Sequence, residues 1–431
     1  MYRLPEYLRG STYRKGRARL NFSRTFESLR SRDFFFLWLG VLALMSAMQM
    51  QMLSRGYLVY EMESSGALLG LVNVGASIPM LALPLFGGVL ADRINRKRII
   101  QAGQIAAALI AFSVFVLIKS DRIEWFHLLV SSIMQGAMFA LMMPARQALI
   151  PQLVGKGLLS NALALNTAAM SATTLAAPSV AGVLYAYFGP SNVYLLIGFL
   201  SLGSCIATLF IRHNGDIELD SKNHKPGNRG NVKSVLSDIK EGLDYVRSQR
   251  LIMVLLIMAL ATTVLAQPFR FLMPIFVVDV YNLGPESMGL LLSVMGLGAL
   301  TGSIYIAAHG NKNRGKILLA GSFVSGLSLL GVAIVPIYVI AVLFMVPLGL
   351  GDASRRTLIM ALIMEMSEEK YRGRVMSIFM LNFGLMPLGV LPAGVISDLL
   401  GGQIAVGLLA VMLILVTSWV WFYHDGVRNS Q

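Results

Sequence analysis

The chain has 431 residues, of which 56% are hydrophobic and only 13% are charged. A soluble domain is roughly a quarter charged, so this composition excludes an ordinary soluble protein and indicates one that resides in a lipid bilayer. The formal net charge of +14 would suit a nucleic-acid-binding protein, but the positions of the basic residues exclude that partner, as described below.

Residues 1–33 form a basic arm that precedes the first apolar run. Phe22, Phe26 and Leu29 recur at helical spacing at its end. This pattern is typical of an amphipathic segment that lies on the inner leaflet. A disordered positive tail would give a similar composition, and both interpretations stay open.

Apolar runs dominate the rest of the chain. A membrane-spanning helix needs about 20 apolar residues, and twelve runs of about that length occur. The runs are continuous rather than alternating, which favours helices over strands. We therefore predict an all-α membrane protein with twelve transmembrane helices. The runs begin near Phe34, Gly66, Ile99, Trp125, Leu163, Val193, Leu251, Met288, Ile317, Tyr338, Val375 and Gln403.

A hydrophilic segment, residues 213–250, divides these runs into two sets of six. Its second part is predicted to be an amphipathic helix. The predicted halves are residues 34–212 and 251–424, followed by a tail at 425–431. Short motifs recur in both, which indicates a pseudo-symmetric repeat. The apolar residues on one face of the linker helix are Val232, Val235, Ile239, Leu243 and Val246.

Lys and Arg predict the orientation, because basic residues concentrate in cytoplasmic loops. With the N-terminus in the cytoplasm, only Lys119 and Arg122 fall in outer turns, and Arg55 and Arg270 fall inside apolar runs. All other basic residues are then cytoplasmic. We therefore expect both termini in the cytoplasm and the chain in the inner or plasma membrane. The positive charge reflects topology, and we expect no nucleic-acid partner.

A charged turn separates the second and third runs. Its sequence from Gly88 to Lys97 resembles the loop motif of the major facilitator superfamily (MFS), a family of secondary transporters, with Asn95 at the second glycine of the motif. An ordinary positive turn would not need a glycine, an acid and a basic pair together. The resemblance implies the MFS fold and a latch between the halves in the outward-facing state, with Asp92 at the N-terminus of the eleventh helix. The latch residues are Gly88, Asp92, Arg93, Arg96, Lys97 and Arg146.

Further motifs resemble the drug-exporter branch of this family, which includes macrolide and siderophore exporters. They are Leu58-Val-Tyr60, Pro144-Ala-Arg-Gln147 and Arg372-Gly-Arg-Val-Met-Ser377. Two features depart from the branch. The fourth helix has Ser132 where many proton antiporters have a functional arginine, and the fifth-helix antiporter motif, around Pro178, is only partly matched. Transport is thus better supported than antiport.

Arg55 and Arg270 are the main candidates for substrate contact, because a charge inside a bilayer usually faces a cavity. The alternatives are snorkelling to the outer head groups, or pairing with Glu61 and Asp279. If both arginines line the cavity, the substrate is expected to be anionic. The remaining candidate cavity residues are Gln49, Gln135, Asn166, Gln267 and Asn382.

Proton coupling requires a titrating group. Glu61 and Asp279 are the first candidates, and Asp352 is the third. Asp352 is expected near the inner end of the tenth helix, beside Arg355 and Arg356, where it would belong to the latch.

The sequence predicts a monomeric secondary active transporter, most simply a proton-coupled exporter of a small amphipathic molecule. An MFS importer of an anionic metabolite is the near alternative, and a non-transporting membrane receptor is an alternative from another class. We expect no enzymatic activity, because polar groups do not converge at one membrane depth. A single cysteine, scattered histidines and no phosphate-binding loop predict no cofactor and no metal.

Overall fold

The computed structural model describes residues 26–83, 95–212, 232–310, 313–385, 389–428 and 430. Within these ranges the chain is almost entirely helical and has no strand. Nine described helices are long and apolar enough to cross a membrane. One of them, Leu159–Leu209, contains two helices, because Gly189 takes the left-handed conformation (φ 78°) that breaks it. Two shorter apolar helices, Gly66–Leu81 and Val390–Leu400, complete the twelve spans.

We label the spans α1 to α12 and keep the name linker helix for Val232–Ser248. The spans are α1 (Arg32–Glu63), α2 (Gly66–Ala82), α3 (Arg96–Lys119), α4 (Trp125–Leu153), α5 (159–188), α6 (190–209), α7 (Arg250–Val280), α8 (Pro285–His309), α9 (Arg314–Ile334), α10 (Tyr338–Met366), α11 (segments Glu369–Leu385 and Val390–Leu400) and α12 (Gly402–Tyr423). Short helices also occupy Glu27–Arg30, Lys156–Leu158 and Asp425–Arg428. The prediction of an all-α protein with twelve transmembrane helices is confirmed.

Asn95 begins α3 in a way the motif did not suggest. It has φ −50° and ψ 119°, and its side chain accepts a hydrogen bond from the Arg98 amide at 3.3 Å. The asparagine that stands at the motif's second glycine therefore does not take a left-handed conformation. An asparagine here stabilises the helix as an N-cap instead.

The bundle has two ends. We call the end that carries the turn at Ser64 and Ser65, between α1 and α2, the first-turn end. The opposite end, where the linker helix is followed by the start of α7, is called the linker end. Helices α1 to α6 contact α7 to α12 chiefly through two pairs, α5 with α8 and α2 with α11.

Both helix pairs approach through glycine. A Cβ on Gly289 of α8 would lie 2.6 Å from the Pro178 carbonyl of α5, and one on Gly66 of α2 would lie 2.7 Å from the Gly394 carbonyl of α11. Because such distances are shorter than van der Waals contact, only glycine permits these backbone approaches. The close packing lies toward the first-turn end.

Packing inside the second half gives a stability prediction. A Cβ on Gly298 of α8 would collide with the Val346 carbonyl of α10, whereas a Cβ on Gly203 of α6 would meet nothing within 4 Å. Gly298→Val is therefore expected to destabilise the fold by about 1–3 kcal/mol or more. Size-exclusion chromatography of heated, detergent-purified protein measures this as a lower midpoint of aggregation.

Gly203→Val is the matched control, because it adds the same side chain to a helix without the collision. Equal midpoints for Gly298→Val and Gly203→Val would contradict the close packing of α8 on α10.

Candidate functional site

A chain of three hydrogen-bonded polar side chains lies between α1 and α4, and two of them, Gln51 and Arg55, are buried. Arg55 donates from Nη1 to Gln135 Oε1 at 2.8 Å, and Gln135 donates from Nε2 to Gln51 Oε1 at 2.7 Å. Gln51 and Arg55 are one helical turn apart, so both point at α4. Arg55 is only 6% exposed. Within the described ranges it forms no ion pair, and the nearby ionisable group is the Tyr194 phenol.

A second buried cluster lies in the other half and centres on Asp352 of α10. Its Oδ1 accepts from Gln267 Nε2 at 2.6 Å and from Arg355 Nη2 at 2.7 Å, and its Oδ2 accepts from Arg356 Nη2 at 3.0 Å. Arg355 and Arg356 follow Asp352 by three and four residues, the spacing that places helical side chains together. Arg270 of α7 lies within electrostatic reach of Asp352 and Arg356.

The depth of Asp352 differs from the sequence prediction. The sequence placed it near the inner end of the tenth helix, but α10 extends to Met366 and Asp352 lies at its midpoint. Asp352, Arg355 and Arg356 interrupt the apolar run, but the helix continues beyond them through the largely apolar residues 357–366. The carboxylate therefore lies at the middle of α10, and its assignment to the latch stays a prediction.

A cavity of about 50 Å³ opens beside this cluster, between α7, α10 and α11. The sequence-predicted residues Gln267 and Asn382 line it. Its lining residues are Ala259, Thr262, Thr263, Gln267, Asp352, Arg355, Arg356, Phe379 and Asn382.

Polar contacts join the two halves at the first-turn end. The Tyr60 hydroxyl of α1 donates a short hydrogen bond to the Asp279 carboxylate of α7. Asp398 of α11 accepts from Ser65 Oγ at 2.9 Å, from the Gly66 amide at 2.6 Å and from the Ala67 amide at 2.9 Å. A carboxylate at a helix N-terminus is favoured by the free amides and the helix dipole, so Asp398 caps α2 from the other half.

Glu61 accepts a hydrogen bond from the Tyr185 hydroxyl of α5 at 2.5 Å. Arg55 and Arg270 form no ion pair with Glu61 or Asp279 in the described part of the chain, so the gate pairing considered from the sequence is not observed there.

Among the other predicted residues, Gln49 and Asn166 are partly buried, and Asn166 Nδ2 lies 3.9 Å from Met170 Sδ in its own helix. The structure does not bring these two into either polar cluster. They stay predictions as cavity residues.

The predicted latch is only partly visible. Gly88, Asp92 and Arg93 lie outside the described residues. Arg96 Nη1 donates to the Ala148 carbonyl at 3.2 Å, and Lys97 Nζ donates to the Ile211 carbonyl at 2.6 Å. These bonds tie the start of α3 to α4 and to the end of α6.

Arg146 of α4 is 3% exposed, and its Nε and Nη1 have no hydrogen-bond partner in the described part of the chain. A buried guanidinium with free donors is costly, and the role of Arg146 in the latch stays a prediction.

Sequence reasoning missed the role of Asp398. No local signal marks this role, because the bonded amides belong to α2, more than three hundred residues earlier. The described residues contain no group of three or more His, Cys, Asp or Glu that could hold a metal ion.

Comparisons with known proteins agree with this architecture. The model of the Major Facilitator Superfamily matches residues 35–389 and 269–431. The chain is 23% identical over 366 residues to the Staphyloferrin A transporter of Staphylococcus aureus, covering 84% of this chain and 88% of that protein. It is 25% identical over 302 residues to the multi-drug resistance efflux pump PmrA homolog of Lactococcus lactis, covering 67% and 69%.

Solved structures show the same fold at low identity. A mutant form of the nucleoside transporter NupG superimposes with a TM-score of 0.72 at 13% identity, covering 90% of this chain and 98% of that chain. A bacterial homolog of the human lysosomal transporter Spinster, in an inward-facing and unoccupied conformation, superimposes with a TM-score of 0.72 at 12% identity, covering 93% and 98%.

Proposed function

The chain belongs to the major facilitator superfamily, a family of secondary transporters, and we propose that it exports a small amphipathic molecule in exchange for protons. It is a multi-pass membrane transporter and not an enzyme. The similarity to a protein named as a multi-drug efflux pump supports the direction. The positive-inside pattern supports a cytoplasmic linker end, which makes the first-turn end extracellular.

We propose that transport occurs by alternating access between the two halves. The main support is how the halves contact each other and where their polar residues lie. The halves are bonded at the first-turn end through Asp398 and through the Tyr60–Asp279 pair, while each half presents its own deep polar cluster, Arg55 in one and Asp352 in the other. Two rigid halves with a polar centre and a breakable contact at one end are the elements that rocking around a central site requires.

We propose that the two moving halves are residues 34–212 and 251–424, and that the linker between them lies in the cytoplasm. At the linker end, Asp92 would cap the N-terminus of α11 when that end closes. Asp398 at the other end caps the N-terminus of α2. The pair α2 and α11 would thus carry one carboxylate cap at each end, and the two caps would alternate during transport.

Glu61 and Asp279 are the proposed proton carriers. Each lies at the first-turn end and accepts a hydrogen bond from a tyrosine on another helix. Asp279 also bonds across the halves, so a proton on its carboxylate would weaken a contact that holds the outer end closed. Asp352 is assigned instead to the ion-paired cluster of the second half.

Replacing the Asp279 carboxylate by an amide tests the coupling. Asp279→Asn can still accept the Tyr60 hydrogen bond but cannot titrate, so proton-driven efflux is expected to fall at least roughly tenfold while substrate exchange without a gradient continues. Proteoliposomes with an imposed pH gradient measure both. Asp121→Asn, an exposed acid at the same end, is the control. Unchanged uphill efflux in Asp279→Asn would remove Asp279 from the coupling.

The proposed function as a whole is tested with a panel of fluorescent amphipathic compounds in cells with and without the protein. Export predicts lower accumulation of at least one compound, reversed by a protonophore. Higher accumulation would favour the importer alternative, and equal accumulation across the panel would oppose export.

A further inference from the structure

We propose that the cavity between α7, α10 and α11 is a subsite for an anionic head group, so that the transported molecule is an amphipathic carboxylate. The inference rests on the proposed transport function and adds the chemical class of the substrate. It is carried by the charge, the unmet hydrogen-bond donors and the size of the cavity.

The charges around the cavity do not balance. Arg355 and Arg356 line the cavity with the single carboxylate of Asp352, and Arg270 lies outside the lining but within electrostatic reach of that carboxylate. Guanidinium groups stay ionised in proteins. Both Asp352 oxygens are already engaged, since they accept from Arg355, Arg356 and Gln267. The described residues therefore leave a net positive charge at mid-depth, where low polarity makes such an excess expensive unless an anion joins it.

Two of these arginines also keep free donors. Arg355 is 3% exposed and lines the cavity, and its Nη1 has no hydrogen-bond partner in the described part of the chain. Arg270 Nε is likewise buried without a partner there. A buried donor without an acceptor is strongly unfavourable. A carboxylate can accept two parallel hydrogen bonds from a guanidinium group, because the two planar groups match geometrically.

The cavity has the size and lining for a head group rather than a whole substrate. One water occupies about 10–15 Å³ of such space, so about 50 Å³ holds a few waters or one carboxylate. Thr262, Thr263 and Asn382 add polar atoms, while Ala259 and Phe379 add apolar surface. The Arg356 side chain is 48% exposed, so the cavity communicates with solvent on that side. The rest of an amphipathic molecule would extend out of the cavity toward the other half.

Ligand-induced thermal stabilisation of the purified full-length protein tests the subsite directly. The chain has a single cysteine, Cys205, which is buried, so a fluorogenic thiol dye reports unfolding. The probes are 4-phenylbutyrate and 4-phenylbutyramide, which share the same body and differ in the head group, an ionised carboxylate in one and a neutral amide in the other. The carboxylate is expected to raise the unfolding temperature with a saturable dose dependence, and the amide is expected to leave it unchanged.

Variants of opposite charge separate a binding role from a structural one. Arg270→Gln is expected to weaken the apparent affinity for 4-phenylbutyrate by roughly tenfold or more. Asp352→Asn, which removes the competing carboxylate, is expected to retain or increase that affinity. Arg247→Gln changes an exposed arginine of the linker helix and is the control, expected to match the unmodified protein.

Equal stabilisation by the amide and the carboxylate would overturn the anion subsite, and so would equal loss of affinity in Arg270→Gln and Asp352→Asn. These outcomes are independent of the transport assay. Carboxylate binding without any efflux would leave the subsite standing and reject the exporter. Efflux of neutral compounds that Arg270→Gln does not alter would leave the exporter standing and reject the subsite.

Discussion

Asp398→Ala is expected to open the first-turn end of the bundle. The substitution removes the acceptor for the Ser65 hydroxyl and for the Gly66 and Ala67 amides, which Asp398 binds across the two halves. It also removes a negative charge from the N-terminus of α2, where the helix dipole favours it. The closed arrangement described here should therefore lose one of its main polar contacts, while each half keeps its internal packing.

The free energy that these hydrogen bonds contribute to the closed arrangement depends on their exposure to solvent. Hydrogen bonds to a charged group are each worth about 1.5–3 kcal/mol when buried, but two of the three bonds are exposed, so we assign about 2 kcal/mol to the set. That value shifts a two-state equilibrium by about 30-fold. Asp398→Asn should give a smaller shift, because the amide oxygen still accepts one hydrogen bond.

The measurement is a distance between spin labels on opposite halves at the first-turn end. Arg122→Cys in the α3–α4 turn and Ile337→Cys before α10 are exposed positions, and Cys205→Ser removes the natural thiol. Asp398→Ala should shift the distance distribution to longer values. Asp425→Ala removes an exposed acid at the linker end and serves as the control. An unchanged distribution in Asp398→Ala would mean that the glycine packing and the Tyr60–Asp279 hydrogen bond hold the outer end closed without Asp398.

The sequence predicted the fold because hydropathy acts locally. Twelve runs of about membrane length give twelve helices, since a backbone in lipid must satisfy its own hydrogen bonds. The residues at which the helices begin and end were harder to predict. α10 continues through the charged residues Asp352, Arg355 and Arg356 into a second apolar stretch and ends at Met366, so Asp352 lies at its midpoint rather than near its end. These charged residues do not end the helix, because Asp352 forms ion pairs with both arginines.

In the candidate site, contacts within one helix could be predicted from the sequence, and contacts between distant helices could not. The association of Asp352 with Arg355 and Arg356 was predictable, because helical spacing alone brings the three together. The bond from Gln267 to Asp352 and the cap by Asp398 were not, because each joins helices that are distant in sequence. A single sequence carries no signal for which polar residues of different helices will meet at one depth.

Arg55→Met is expected to abolish transport without unfolding the protein. Arg55 is a buried cation whose described partner is the neutral Gln135. Keeping such a charge in a low-polarity interior is unfavourable, and replacing it by an apolar side chain of similar length is often neutral or stabilising. Methionine removes the charge but fills a similar volume. We therefore expect an unfolding temperature equal to or above that of the unmodified protein, with efflux reduced at least roughly tenfold.

Arg355→Met provides the contrast, since Arg355 is also a buried arginine but binds Asp352 at 2.7 Å. Arg355→Met removes one charged hydrogen bond, which is worth about 1.5–3 kcal/mol, while Asp352 keeps its bonds from Arg356 and Gln267. Arg355→Met should thus unfold at a clearly lower temperature than Arg55→Met. If Arg55→Met also unfolds early and the surviving protein still transports, Arg55 is a structural residue that Gln135 and Gln51 satisfy. If Arg55→Met is stable and inactive, the uncompensated charge is retained for the substrate, because folding gains nothing from it.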